Sequence, residues 1–312
     1  MKSIWTMGEM LVEIMRPRPG MSLDEAAEFI GPFPSGAPAI FIDTVALLGQ
    51  SAAIISGVGD DDFGHCLLNR LKADGVNCDH VLRVPQRSTA VAFVTYFNDG
   101  SRKFIFHIDG TPAVMAGYTS AEGIEDPAFF HVMGCSLMAN DTFRGNIVQT
   151  MASFHDRGAR ISFDPNIRPE LLGDRRLEDV VAPVLDRCFV LFPGIAELAL
   201  LTGKREIESG VRQLFDAWQV EMVIVKRGKI GSIIYTRSSE IEVPAYQVAE
   251  VDPTGAGDCF DAAFLCGLLE KLPLEACGRL ASAAGALNAA AFGPMEGRIT
   301  RAALEEVMCH QK

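Results

Sequence analysis

"VDPTGAGDCF", residues 251–260, sets two glycines, a threonine and two aspartates ahead of an apolar helix pattern, DCFDAAFLCGLL, that starts at Asp258. The first amides of a helix have no internal acceptor and carry the positive end of its dipole. Glycines at 255 and 257 let such amides come close to an anion. Gly255, Ala256, Gly257 and Asp258 therefore offer an anion hole for charge developing on a transferring phosphoryl group. Asp258, in the same turn, is placed to orient a substrate hydroxyl and accept its proton. A helix N-terminus predicts a lowered carboxylate pKa and so a weak base, which phosphoryl transfer tolerates because early deprotonation is small. The plainer reading of these residues is a tight turn with Asp258 as the helix cap.

Other phosphate and hydrolase motifs are missing. Gly203-Lys204 and Gly228-Lys229 lack the upstream glycine and the following Ser or Thr of a P-loop. Gly255-Ala256-Gly257 lacks the third glycine of the dinucleotide fingerprint. HExxH and GxSxG do not occur.

Outward from this stretch, strand and helix patterns alternate. IWTMGEMLVEI reads as one early strand, 37–49 as a helix ended by Gly49, 52–59 as a buried strand and 62–75 as a helix ended by Gly75. Residues 90–108 read as a hairpin around Asn98-Asp99-Gly100. Strand 129–133, helix 142–157, strand 160–164, helix 177–187, strand 188–192, helices 195–202 and 207–218 and strand 221–226 follow. A second hairpin occupies 231–243, and two long apolar helices occupy about 257–270 and 274–291. Continuous apolar strands alternating with helices predict an α/β fold with a parallel sheet covered on both faces. The hairpin 90–108 and the polar segment 16–35 break the rhythm and predict a small β accessory. Ligands bind at the carboxyl ends of such strands, where a β flap would exclude water.

The chain has 312 residues, 48% of them hydrophobic, enough for a large core. A net charge of −12 without a long basic run argues against a nucleic-acid partner. No stretch approaches the roughly 18 consecutive apolar residues of a membrane span. The eight cysteines form no CxxC pair, which suits reduced thiols in the cytoplasm.

The stretch Asp252-Pro253-Thr254-Gly255-Ala256-Gly257-Asp258, followed three residues later by Ala262-Ala263-Phe264-Leu265, resembles the C-terminal signature of the ribokinase-like carbohydrate kinases of pfkB type. Gly8-Glu9, Ser35-Gly36-Ala37-Pro38-Ala39, Val58 to Gly64, Gly100-Ser101-Arg102, His131 to Gly134, Asp164 to Arg168 and Val225 to Gly231 extend the likeness along nearly the whole chain. The resemblance implies a three-layer α/β/α domain over 1–312 with a mostly parallel sheet and a β lid formed by about 12–35 and 88–110. It implies ATP-dependent phosphorylation of a sugar, with Asp258 as base and the 255–258 amides as anion hole.

The resemblance also implies where the cofactors sit. Adenine goes between the Lys226–Gly231 loop, with Gly228, and the late helices around Asn288; Asn166 and Thr254 join these cofactor residues. Magnesium is implied at Glu197 through water, although Gly194 stands where the family's Asn-x-x-Glu motif has its asparagine. Asp252 is implied beside a monovalent cation such as potassium. Arg168 follows a strand end, where it can clamp a phosphate or a substrate oxygen.

On the sugar side the candidates are Glu13, where many relatives have Asp, then Ser35, Gly36, Arg102, His107 and Arg168. Ile40 stands in place of the family's sugar-binding asparagine. Ketodeoxygluconate kinases usually carry a Tyr-x-Arg on the lid, and here Phe106 and Ile108 replace both. A sugar carboxylate would lose its Arg partner there. Residues 31–43 are most similar to sugar kinases assigned to tagatose. These observations point to a primary hydroxyl of a ketohexose, tagatose or fructose, as acceptor. Ketodeoxygluconate is the alternative and a nucleoside a weaker third. A sensor without chemistry would not need Asp258. Because lids of this family often pair, a homodimer is the implied assembly.

Overall fold

Period-two alternation along the strands sends apolar side chains to both faces of a sheet, and helices cover each face. The computed structural model describes residues 2–310; the ends of the expected 1–312 domain, Met1, Gln311 and Lys312, lie outside the described residues. In chain order the first strands and helices are β1 (Ser3–Met7), β2 (Leu11–Met15), β3 (Ile30–Ser35), α1 (Ala37–Leu47), β4 (Ser51–Gly59), α2 (Asp62–Ala73), β5 (Asn77–Val84), β6 (Val91–Tyr96) and β7 (Arg102–His107). Then come β8 (Pro127–Met133), α3 (Gly134–Ala139), α4 (Asp141–Asp156), β9 (Arg160–Asp164), α5 (Pro169–Leu172), α6 (Leu177–Leu185), β10 (Cys188–Leu191), α7 (Ile195–Thr202) and α8 (Ile207–Ala217). The chain finishes with β11 (Met222–Lys226), β12 (Gly231–Thr236), β13 (Glu240–Pro244), α9 (Ala256–Leu269), α10 (Leu274–Ala289) and α11 (Arg301–His310).

Nine strands form one sheet in the order β13-β12-β11-β10-β9-β8-β1-β4-β5. Only the β11–β12 and β12–β13 pairings are antiparallel. Adjacent residues serve opposite faces. Ile4, Ile54 and Phe129 join a core with α1, α2, α9, α10 and Leu304 of α11. Trp5, Ile55 and Phe130 join a second core with α4, α6, α7 and α8. The result is three layers, helices on both sides of a mostly parallel sheet.

The remaining strands form a four-stranded sheet, β3-β2-β6-β7. It contains the expected hairpin and two strands the sequence reading did not separate. IWTMGEMLVEI is not one strand: β1 belongs to the large sheet and β2 to the small one. The chain crosses between them at Gly8, where a Cβ would lie 2.3 Å from Pro38 Cγ and 2.4 Å from Ser136 Oγ. Only glycine permits that crossing. The polar stretch after β2 is held by Arg16, which is buried and donates to the carbonyls of Ser22, Glu25 and Glu28. Edge strand β5 and helix α11 also went unread, because β5 is largely polar and exposed and α11 buries only Leu304 fully.

Candidate active site

The carboxyl ends of β9 and β11 and the N-terminus of α9 meet beneath the small sheet. Asp258 lies in the first turn of α9 and is 7% exposed. Burial, and after it the charge of Asp164, pushes its pKa up to about 7, against Lys226, Arg168 and Arg102. The expected weak base is thus corrected: desolvation outweighs the helix dipole. Asp258 is not the cap either. The N-cap is Gly255, left-handed at φ 80, and no side chain caps the helix. The Ala256 amide donates to the Pro253 carbonyl at 3.3 Å, and the Gly257 and Asp258 amides of the first turn are left to an anion. A Cβ on Gly255 would meet the Pro294 carbonyl oxygen at 2.5 Å.

Thr254 anchors this turn from behind. Its amide donates to Asp252 Oδ1 at 2.9 Å, and its carbonyl accepts from Asn288 Nδ2 at 2.7 Å. Arg102 donates to its hydroxyl at 3.3 Å. The Asp252 carboxylate is fully buried and also accepts from the Gly293 amide at 3.1 Å and from the Tyr96 hydroxyl.

Lys226 closes β11. Its ammonium sits 2.8 Å from Asp164 and 3.2 Å from Asp261, both buried carboxylates. Burial works against its charge, yet Asp164, Asp261 and Glu197 hold its pKa above the ordinary lysine value. Glu197 accepts the Ile167 amide at 2.9 Å and the Gly194 amide at 2.7 Å. Burial, then Asp164, raises its pKa.

Three cavities join here. One of about 70 Å³ has a polar side of Glu9, Glu13, Ser35, Gly36, Asn166, Arg168 and Asp258 and an apolar wall of Leu11, Ile40, Phe104, Phe106 and Ile108, with Arg102 beside it. Glu13 is buried and accepts from Ser35 Oγ at 2.6 Å, while its Oε2 has no protein partner. Burial raises its pKa to about 7, although the Ser35 bond opposes this. An orphaned acceptor aimed into a small cavity suits a ligand hydroxyl. A second cavity, about 350 Å³, lies between the Lys226–Gly231 loop and α10, lined by Gly228, Gly231, Tyr246, Phe260, Ser282 and Gly285 among others. A third, about 150 Å³ and polar, bridges the two through Gly255, Gly257, Asp258, Arg102, Arg168, Lys226 and Glu197.

Three expected residues fall elsewhere. His107 is exposed and packs against the Phe93 ring edge, because alternation along β7 turns Phe104 and Phe106 inward and His107 outward. Asn288 is fully buried and braces Thr254, so it is not in the cavity beside α10. Asn166 sits between the first and third cavities, bonded to Asp258 at 3.3 Å, rather than with Gly228 and Gly231. The sequence reading missed Glu9, Phe104, Phe106 and Tyr246 as wall residues. Gly8-Glu9 was visible as a family match, but nothing in it showed that Glu9 turns inward.

Among the described residues no group of three or more His, Cys, Asp or Glu could hold a metal directly. Asp164 and Glu197 do face the polar cavity. Their engaged oxygens fit a hydrated magnesium held through water, which keeps most of its own shell.

A family model described as pfkB family carbohydrate kinase matches residues 1–301. Fructokinase-1 of Oryza sativa subsp. japonica is 32% identical over 313 residues, 96% of this chain and 96% of its own. Fructokinase of Salmonella typhimurium is 29% identical and covers 94% of each chain. An Escherichia coli protein described as a ribokinase II, solved with ATP and Mg²⁺, has a TM-score of 0.93 at 36% identity over 100% of both chains. A Vibrio cholerae fructokinase double mutant, solved with fructose, ADP and a potassium ion, has a TM-score of 0.84 at 26% identity, covering 99% of this chain and 98% of its own.

Proposed function

The chain belongs to the pfkB family of carbohydrate kinases, and from that premise we propose that it transfers the γ-phosphate of ATP to a primary hydroxyl of a ketohexose, fructose or tagatose. The observation that carries this is the chain of cavities: a small one, a large one, and a polar passage between them at Asp258.

Sugar fills the 70 Å³ cavity, its hydroxyls on Glu9 and Glu13 and its C–H face on Phe104 and Phe106. Adenosine fills the 350 Å³ cavity and the phosphates reach the passage. Asp258 accepts the proton of the attacking hydroxyl. A bond forms from that oxygen to the γ-phosphorus while the bond to the bridging β–γ oxygen breaks. The Gly257 and Asp258 amides, Arg102 and Arg168 take up the equatorial charge. Magnesium held through water near Glu197 and Asp164 would neutralise charge on the phosphates, and a potassium ion, which the Vibrio cholerae structure contains, would use Asp252.

Ketodeoxygluconate ranks second. Arg102 and Arg168 both line the sugar cavity, but Glu9 and Glu13 face a sugar carboxylate there and Ile108 offers it nothing. The small sheet is read as a lid over 12–35 and 88–110 on a single kinase domain. Ile105, exposed on the face turned away from the cavity, supports pairing of two lids in a homodimer. Sedimentation at one-chain mass would remove the dimer from this reading. The enzyme is placed in the cytoplasm, where ATP is.

The decisive experiment is an ATP-consumption screen over fructose, tagatose, psicose, sorbose, ribose and ketodeoxygluconate, with phosphorus NMR of the product. A ketohexose with the highest kcat/KM supports the proposal; preference for ketodeoxygluconate or ribose overturns it.

A further inference from the structure

Tyr96 and Arg102 stand opposite each other at one end of the small sheet, as paired residues of β6 and β7. Both reach across to the same residue of the large domain, Thr254. The Tyr96 hydroxyl bonds Thr254 Oγ1 and the Asp252 carboxylate, and Arg102 bonds Thr254 Oγ1 at 3.3 Å. Thr254 immediately precedes Gly255, whose left-handed conformation aims the first-turn amides of α9. Behind it, Asp252 and Asn288 fix the Thr254 amide and carbonyl. A sheet that covers the sugar cavity therefore grips the turn that would receive the phosphate.

We propose that Tyr96 is a positioning residue, a latch by which closure of the small sheet over the sugar sets the anion-hole turn. Arg102 lines both the sugar cavity and the polar passage, so sugar that engages Arg102 also steadies its partner Tyr96. The phenol suits the role. Its hydroxyl meets the Asp252 carboxylate, as donor, and Thr254 Oγ1 together, so one group ties the small sheet to both residues of the turn. Sugar in the cavity thus steadies the amides aimed at phosphate, which favours transfer to the sugar over transfer to water.

The inference rests on the kinase reading, and its test separates the two. Tyr96→Phe keeps the ring and removes the latch. In the free full-length protein, hydrogen exchange should speed up at 95–103 and at 251–256 and stay unchanged over the large sheet. Thr254→Val, which removes the shared hydroxyl, should reproduce that pattern. With the ketohexose the wild type uses best, kcat of Tyr96→Phe should fall by roughly 10–100-fold, the scale of a hydrogen bond to a charged group. KM for ATP should change little, and sugar-independent ATP hydrolysis should rise. Wild-type exchange at 251–256, a uniform rise over the whole protein, or a wild-type kcat overturns the latch. A wild type inactive on every sugar of the screen sinks the ketohexose reading instead, and the exchange pattern alone then decides the latch.

Discussion

Asn166 donates its side-chain amide to Oδ1 of Asp258 across 3.3 Å, joining the loop after β9 to the first turn of α9. Asn166 itself is left-handed at φ 35, a conformation asparagine tolerates better than most residues. The bond orients the carboxylate read as the base. Asn166→Ala should lower kcat roughly 10–100-fold, the scale of a hydrogen bond to a charged group, and leave KM for ATP nearly unchanged. Steady-state kinetics at saturating sugar checks this.

Asp258→Asn should lower kcat by about 100-fold or more, the scale of a positioned acid–base group. ATP binding, measured by calorimetry, should persist because the first-turn amides remain. Near-normal turnover in this variant would remove Asp258 from the chemistry.

Acidity follows from burial. Asp258 ionises at about 7 in the folded protein, so kcat/KM should rise as pH passes through neutrality and level off above it. Glu13 titrates at about 7 in the same cavity and adds to that limb. Glu13→Gln should therefore leave one titration, and should raise the sugar KM by about tenfold or more. Stability runs the other way. A carboxyl whose folded pKa lies above its unfolded value of about 3.9 destabilises the fold increasingly as pH climbs from that value to 7. The Tm of Asp258→Asn relative to wild type should accordingly be higher at pH 8 than at pH 4.

Lys226 stands between Asp164 and Asp261. Lys226→Met would leave both buried carboxylates uncompensated, which costs about 3–5 kcal/mol. Urea unfolding near neutral pH should show a midpoint well below wild type; an unchanged midpoint would mean the cluster is not a structural tie.

Glycine at 255 is a geometric requirement. Gly255→Ala forces a Cβ to within 2.5 Å of the Pro294 oxygen at a positive φ, a strain of about 1–3 kcal/mol. Its kcat should fall up to roughly 100-fold if the turn moves, since each 1.36 kcal/mol is a factor of ten. Gly145→Ala is the control: inside α4, with nothing within 4 Å of its Cβ, it should stabilise by about 0.5–1 kcal/mol.

Much of this was legible because it is local. The continuous apolar runs of β8, β9 and β11, the apolar pattern of α9 and α10, and the 252–258 turn are properties of neighbouring residues. So was the separation of the 90–108 hairpin from the rest. The break inside IWTMGEMLVEI was not, because Gly8 is required by Pro38 and Ser136, far away in the chain. His107 and Arg102 looked alike as polar residues of one hairpin. Which of them faces the cavity depends on how the small sheet docks.

By itself the sequence determined the layered α/β architecture, the kinase family and the position of the anion-hole turn, since strand and helix periods and a contiguous motif encode them. Tertiary structure alone decided the chemistry of the charged groups. Asp258 is raised, and not lowered, because packing removes water from it and sets Asp164 nearby. Glu9 and Glu13 become cavity walls, Asn288 becomes a brace, and Tyr96 meets Thr254 across 158 residues, because burial and approach belong to the folded chain as a whole. The 251–260 stretch carries the means of handling phosphate; the groups that surround it come from the Gly8–Glu9 crossing and from β2, β6, β7, β9 and β11, and meet only where the two sheets pack together.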